Sequence, residues 1–300
     1  MFENNKFFRF LFKFLVILII IKLIFKIVDF SFAFKINNRN FKFFEINKKY
    51  VEANDKNYKY KRISFNNISN IKIEDSAKII LKENNDSDEI LIRYYDCDDL
   101  KYDIDVENDT LMLKNLNLEH KYKNLYLKVL LPKKFLKNID INNINGDIDI
   151  KIDKSDKLII ENENGEINVK INSKILEIKN INGNIKISNN IDNIKIKTIN
   201  GDIDFTGISK DLNINNVNGN INFTGISNDL NTDSINGNVN CKIKCKKNNY
   251  NIDLSTFNGS KKIYNNSEKI DCEKEINNSQ NTNKKIKAKT VNGNILIEFL

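Results

Sequence analysis

Two pairs of aspartates follow Asn-Gly dipeptides and are the residues of this sequence best placed to do chemistry. Asp147 and Asp149 stand in one N-G-D-I-D segment, and Asp202 and Asp204 stand in another. Carboxylates stacked on repeated strands could bind calcium or act as general acid and base. The two segments are not adjacent repeats, and later repeats carry neutral asparagine at the same place. We therefore interpret the aspartates as solvated outward residues.

The other reactive side chains do not form a recognisable catalytic or metal-binding pattern. His120 is the only histidine and lies in a polar stretch without a serine or cysteine signature nearby, so no nucleophilic triad can be proposed. The four cysteines lack the paired spacing of a zinc site. Cys241 occupies an inward repeat position, where we favour a small buried hydrophobe over a disulfide. We predict no catalytic residue, no metal, no cofactor and no enzymatic activity.

Tyrosines offer a weaker signal for ligand binding. Tyr94 and Tyr95, and Tyr122 and Tyr126, could stack on sugars, although tyrosine is common on strands. The net charge of +8 is spread over both signs without a basic block. Nucleic acid is therefore excluded from the predicted partners.

A repeat must position all of these residues. No glycine precedes Gly146, and the glycines that follow an asparagine begin at intervals of 19, 18, 18, 18 and 18 residues. A fixed period near 20 residues is typical of a solenoid. Asn-Gly supplies the turn, because both residues tolerate a positive φ. The predicted structural turns are Asn145-Gly146, Asn164-Gly165, Asn182-Gly183, Asn200-Gly201, Asn218-Gly219, Asn236-Gly237, Asn258-Gly259 and Asn292-Gly293.

Apolar residues alternate with polar ones on both sides of each turn, which is strand periodicity. From Ile178 to Ile181 the step is three residues instead of two, so we expect a bend or bulge there. The predicted core ladder consists of Ile178, Ile185, Ile196, Ile203, Phe205, Ile214, Ile221 and Phe223.

Asn-Gly between alternating runs also signals a hairpin, so an antiparallel meander is the alternative fold. The nearly identical residues 200–213 and 218–231 favour the solenoid, because stacking places like on like at every coil. We predict an all-β, single-stranded β-helix (β-solenoid) with coils of about 18 residues, preceded by one N-terminal transmembrane helix.

The membrane prediction depends on residues 10–28, which read FLFKFLVILIIIKLIFKIV. A helix of about 20 such residues crosses a bilayer. A cleaved signal peptide and an interfacial amphipathic helix are the alternatives. Lysine and arginine before the apolar run place the N-terminus in the cytoplasm. We expect a single-pass protein of the cell membrane with an extracytoplasmic solenoid.

The predicted domains follow from these patterns. They are residues 1–34, the cytoplasmic tip and anchor; residues 35–61, a juxtamembrane linker; and residues 62–300, the solenoid domain, with irregular strands at 62–135 and Asn-Gly repeats at 136–300.

A family resemblance rests on the order of motifs. A membrane segment precedes DTLMLKN, then LYLKVLLPKKF, then repeated NGDIDI and NGNI. This order resembles the bacterial "putative adhesin" domains of unknown function over about residues 62–300. The resemblance implies a single-stranded β-helix and an envelope role, and it brings no catalytic residues.

Three functions remain open at this point. The first is a non-enzymatic, membrane-anchored envelope protein whose solenoid binds a surface protein or a glycan. The second is an envelope-stress accessory that regulates a membrane partner through residues 1–34. The third is a β-helix polysaccharide-active enzyme that uses Asp202 and Asp204.

Overall fold

Alternating isoleucine and polar residues build long strands between the glycine turns. The computed structural model describes residues 50–52, 58–64, 68–84, 88–97, 100–118, 121–123, 125–133, 136–265, 268–270 and 284–300. No helix within these ranges is long and apolar enough to cross a membrane. The anchor predicted at 10–28 and the boundaries of residues 1–34 lie outside the described residues.

Short strands precede the Asn-Gly repeats. They are β1 (Tyr50–Glu52), β2 (Tyr58–Ser64), β3 (Asn70–Asp75), β4 (Lys78–Asn84), β5 (Glu89–Tyr95), β6 (Tyr102–Glu107), β7 (Thr110–Asn115), β8 (Lys121–Lys123) and β9 (Tyr126–Pro132).

The repeats form strands of which β11 to β15 each run from one turn to the next, while β10 only ends at a turn and β16 only begins after one. They are β10 (Leu136–Asn145), β11 (Ile148–Asn164), β12 (Ile167–Asn182), β13 (Ile185–Asn200), β14 (Ile203–Asn218), β15 (Ile221–Asn236) and β16 (Val239–Ile243). A 3-10 turn at Lys247–Asn249 leads to β17 (Tyr250–Asn258), β18 (Lys261–Asn265), β19 (Glu268–Ile270), β20 (Lys284–Asn292) and β21 (Ile295–Phe299).

Successive repeats pair in parallel and in register, which confirms the predicted β-solenoid. Ile185 of β13 pairs with Ile203 of β14, which pairs with Ile221 of β15. In an antiparallel meander these neighbouring strands would run in opposite directions, so that alternative is wrong. Parallel pairing puts like side chains about 4.8 Å apart, and the identical residues of neighbouring repeats therefore stack.

At the N-terminal side of the stack, the strands do not follow one another in the order of the sequence. β3 pairs in parallel with β10 and, on its other side, with β7; β4 does the same with β11 and β9. Antiparallel strands then cover the outer coil, β6 along β7 and β5 along β9, with β2 outside β5. These added strands protect sheet edges that would otherwise offer open hydrogen-bonding groups.

The C-terminal side shows the same departure. β20 pairs with β15 on one side and with β17 on the other, and β21 lies between β16 and β18. The strands that come latest in the chain are thus inserted one coil inside the outermost one.

The interior is a continuous apolar column. Every residue of the predicted core ladder is buried. Phe205 and Phe223 stack with ring centroids 5.4 Å apart and an interplanar angle of 18°. Cys241 is paired with Phe223 and lies in the same column.

The bend or bulge expected before each turn falls at a residue that the pairing between coils skips, because β12 pairs with β13 at Asn180 and again at Asn182 but not at Ile181. β12 and β13 keep one register through Ile178, Lys179 and Asn180. Simple alternation continues, so Asn180 is fully buried and Ile181 is half-buried on the outside. The three-residue step between apolar residues arises because the third one faces outward.

Candidate functional site

Side-chain amides of the turn asparagines form an outer ladder along the whole stack. Each Nδ2 donates to Oδ1 of the asparagine one coil away, with N···O distances of 2.8 to 3.2 Å. The first of them, Asn145, donates to Oγ of Ser76 at 3.2 Å. The ladder gives the turn edge a rigid surface with polar groups at one repeated spacing.

The glycine after each asparagine is required by close backbone stacking. Gly201 has φ of +141°, and a Cβ there would lie 2.2 Å from the carbonyl oxygen of Gly183. Any larger residue would both strain the backbone and separate the coils.

An inner row of polar residues lies three positions before the turn glycines, which the sequence analysis missed. Nδ2 of Asn180 donates to the carbonyl oxygens of Gly183 (3.0 Å) and Gly165 (3.4 Å). Thr290 fills the equivalent place with Oγ1 donating to the carbonyl of Gly237 at 3.0 Å. A polar residue at a fixed offset from each turn glycine was the available signal.

The aspartate pairs are used to hold neighbouring coils together. Oδ1 of Asp202 accepts the backbone N–H of Asn220 at 2.7 Å, and Oδ1 of Asp204 accepts Nδ2 of Asn222 at 2.8 Å. Asp147 likewise accepts the backbone N–H of the next coil, at 3.0 Å. Carboxylates engaged in this way serve as structural acceptors.

The other pair member, Asp149, lies 3.5 Å from Nζ of Lys82. Within the described ranges no group of three or more His, Cys, Asp or Glu residues could hold a metal ion. The four aspartates are therefore not part of a metal-binding cluster of that size. His120 lies outside the described residues.

A buried carboxylate replaces the inner-row asparagine in the β3–β4 turn. Asp75 accepts hydrogen bonds from the Tyr102 hydroxyl (2.7 Å), from Nδ2 of Asn115 (3.0 Å) and from the Ser76 backbone (2.7 Å). Burial raises the pKa of this carboxyl, and the three hydrogen bonds partly oppose the shift. No sequence pattern singled this residue out.

The cysteines described by the structure are free. Cys97, Cys241 and Cys245 form no disulfide. Burial raises the pKa of the Cys241 thiol to about 12, as expected for an inert core residue.

An aromatic cluster surrounds Arg93 on the outer face of the N-terminal strands. The guanidinium carbon lies 4.5 Å from the ring centroid of Tyr58, 5.4 Å from that of Tyr60 and 5.3 Å from that of Tyr126. We call these four residues the Arg93 cluster. Tyr126 was among the tyrosines considered from the sequence, whereas Tyr58, Tyr60 and Arg93 were not.

The remaining predicted tyrosines lie elsewhere. Tyr94 packs against the core and contacts Tyr102, with ring centroids 5.5 Å apart. Tyr95 is buried, and its ring is nearly perpendicular to that of Tyr58, with ring centroids 5.2 Å apart. The side chain of Tyr122 lies outside the described residues.

The fold and its turn ladders define a parallel β-solenoid with coils of one strand each, covered at its first coil by antiparallel strands. The chain belongs to the Toastrack DUF4097 family, whose model matches residues 60–298. The predicted family resemblance is thereby confirmed. No curated protein matches the chain.

Several solved structures of bacterial proteins are similar to the chain. A "putative adhesin" from Parabacteroides distasonis is 14% identical, with a TM-score of 0.48 over 84% of this chain and 100% of the other. A "putative adhesin" from Bacteroides fragilis is 14% identical, with a TM-score of 0.43 over 83% and 100%. A "putative lipid binding protein" from P. distasonis is 15% identical, with a TM-score of 0.44 over 84% and 100%.

Proposed function

We propose that this chain is a non-enzymatic, adhesin-like binding module of the cell envelope. The observation that carries the proposal is the continuous outer amide ladder, which holds polar groups at one spacing on a rigid edge. A preformed surface of this kind loses little entropy on binding, and repeated weak contacts add up along an extended partner. A surface glycan or a surface protein suits such an edge.

The aspartates support binding over cleavage. Asp202 and Asp204, which a polysaccharide-cleaving enzyme would need as acid and base, instead accept hydrogen bonds from the next coil.

Anchoring through residues 10–28 is part of the proposal, with the N-terminus in the cytoplasm and the solenoid outside. Protease treatment of intact cells that express the chain with a C-terminal tag tests it. Loss of the tag, with cytoplasmic proteins intact, is expected. Survival of the tag on wall-stripped cells would contradict the topology. The accessory role through residues 1–34 stays a prediction, which replacement of those residues by an unrelated anchor would test.

Binding itself is tested with cell envelopes from the organism that encodes the chain. The tagged chain, solubilised in mild detergent, is expected to bind envelope fragments at a level above that of an unrelated membrane protein with the same tag. Periodate treatment of the fragments, which destroys vicinal diols, should abolish binding to a glycan, and protease treatment should abolish binding to a protein. Equal retention of both tagged proteins on untreated fragments would sink the binding function.

A further inference from the structure

The Arg93 cluster lies on an outward sheet face. In the antiparallel pairing of β2, β5 and β9, Tyr60 is opposite Arg93, and Arg93 is opposite Lys128. Directly paired residues share a face of the sheet. The intervening residue Ile92 is fully buried in the main core, so Arg93 lies on the opposite face, which a second apolar cluster around Tyr95 covers at one end. A cationic and aromatic patch is thus presented beside the first coils.

The rings hold the guanidinium without neutralising it. Tyr58 and Tyr126 stack on each other at 5.0 Å, and Arg93 is packed over both rings and over Tyr60. Cation–π contacts orient the group but leave its hydrogen-bond donors free for another partner.

Arg93 differs in this respect from its neighbour Arg62, which lies 3.9 Å from a carboxylate oxygen of Glu89. Among the described residues, Nε of Arg93 is buried and has no hydrogen-bond partner. Because Nε is buried, a ligand on this face would meet the terminal amino groups of the guanidinium instead. The planar fork of arginine suits a carboxylate in particular.

Tyr60 supplies the second half of a binding site. Its side chain is among the exposed large hydrophobic groups, with 59% of the residue accessible. An exposed ring beside a fixed cation offers a flat apolar platform and an anion-binding group, close enough together for one sugar residue to contact both. Lys128, half-buried on the same face, adds positive charge.

We propose that the Arg93 cluster binds a carboxylated sugar, such as a uronic acid residue of an acidic polysaccharide. The sugar ring stacks on Tyr60, and its carboxylate accepts hydrogen bonds from the terminal amino groups of the Arg93 guanidinium. This inference rests on the proposed binding function and names its ligand class. Phospholipid headgroups and free phosphate are the other anions that a guanidinium attracts, and the test separates them.

The experiment is calorimetric titration of the detergent-solubilised 300-residue chain with four probes, of which the fourth is vesicles containing phosphatidylglycerol. Trigalacturonic acid supplies ring and carboxylate, its methyl ester keeps the ring and loses the charge, and inorganic phosphate supplies charge alone. Trigalacturonic acid is expected to bind at least about tenfold more tightly than any of the others. Equal or tighter binding of the ester or of phosphate, or of vesicles containing phosphatidylglycerol, would overturn the assignment.

Variants locate the site. Arg93→Gln should weaken trigalacturonate binding at least about tenfold, and Tyr60→Ser should weaken it several-fold. Because the Tyr60 ring is exposed, the second variant is expected to keep the melting temperature even where loss of Arg93 disturbs its neighbours. Lys195→Gln, which removes one exposed positive charge from β13, is the matched control and should bind as the natural chain does.

The outcomes also separate the site from the function. A chain that binds envelopes but not trigalacturonate, or binds trigalacturonate unchanged after Tyr60→Ser and Arg93→Gln, keeps the binding function and refutes the Arg93 site. A chain that binds neither envelopes nor any probe refutes both.

Discussion

Nδ2 of Asn258 donates a hydrogen bond to Oδ1 of Asn292 at 2.8 Å, although the two residues are 34 positions apart in the sequence. Along the stack, Asn292 comes before Asn258, which is the reverse of their order in the sequence. Asn292 in turn donates to Asn236, also at 2.8 Å. The coil that contains Asn292 therefore lies between its two predecessors in sequence. Strands β17 and β18 are connected to the solenoid mainly through β20 and β21.

Deletion of residues 284–300 should detach the outer coil. Parallel partners of β17 and β18 are then missing, so their amide hydrogens should exchange rapidly, while β12 and β13 stay protected because coils stabilise only their neighbours. Hydrogen exchange read by mass spectrometry measures both regions. The variant Leu300→Ala, which changes an exposed side chain, is the control. Continued protection of β17 in the deleted chain would contradict the inserted order.

The unfolding free energy that is lost when an asparagine of the outer ladder is replaced should depend on where in the ladder it lies. Asn200→Ala breaks two amide hydrogen bonds, one to Asn182 and one from Asn218, both at 2.8 Å. Asn258→Ala breaks one. We expect a loss of about 1–2 kcal/mol in unfolding free energy for the first and about half of that for the second. Urea unfolding provides the comparison, and equal losses would argue against the ladder as a source of stability.

Inner-row residues should tolerate threonine but not leucine. Nδ2 of Asn216 donates to the carbonyl oxygens of Gly201 (3.1 Å) and Gly219 (2.9 Å). Asn216→Leu leaves these acceptors without that donor and should destabilise the protein by about 2 kcal/mol or more. Asn216→Thr keeps a donor, as Thr290 does naturally, and should cost clearly less. Thermal unfolding of the two variants decides, and a leucine variant as stable as the threonine one would refute the assignment.

Asp75 should make stability fall as the pH rises. Because burial raises its pKa above the ordinary 3.8, the folded protein keeps a proton that the unfolded chain has released. This contribution is complete below pH 3.8 and is lost as the pH rises through the raised pKa. Asp75→Asn should remove it while keeping acceptors for Ser76 and Asn115.

The melting temperature of Asp75→Asn, relative to that of the natural chain, should therefore increase from about pH 4 upward. Asp253→Asn, at an exposed position of β17, is the control for the general effect of removing one negative charge. A constant difference for Asp75→Asn would mean that the carboxyl titrates normally.

The sequence predicts the parts of this fold that depend on neighbouring residues. The glycine at Gly201 recurs in every Asn-Gly coil, and the apolar residue at Ile203 recurs in all of them except the coil of Gly259, so the period alone places one in the turn and the other in the core. Asn180 and Ile181 break the rule that apolar residues face inward, since an amide inside the turn satisfies glycine carbonyls that no apolar side chain could.

Long-range pairing is the part that periodicity does not predict. The repeat fixes which residues of two coils stack, but nothing in it distinguishes Gly293 from Gly259 as the next glycine after Gly237. The Arg93 cluster is of the same kind. Its members come from β2, β5 and β9, and only antiparallel pairing brings Tyr60 opposite Arg93.

The inserted coil also has a consequence for biosynthesis. Translation delivers β17 and β18 before β20 and β21, so the outer coil leaves the ribosome ahead of the strands on which it stacks. A chain interrupted before Lys284 therefore presents open sheet edges on β15 and β16, which chaperones and proteases recognise in unfinished proteins. Because of this order of stacking, an interrupted chain exposes sheet edges that are covered in a chain extending through β21.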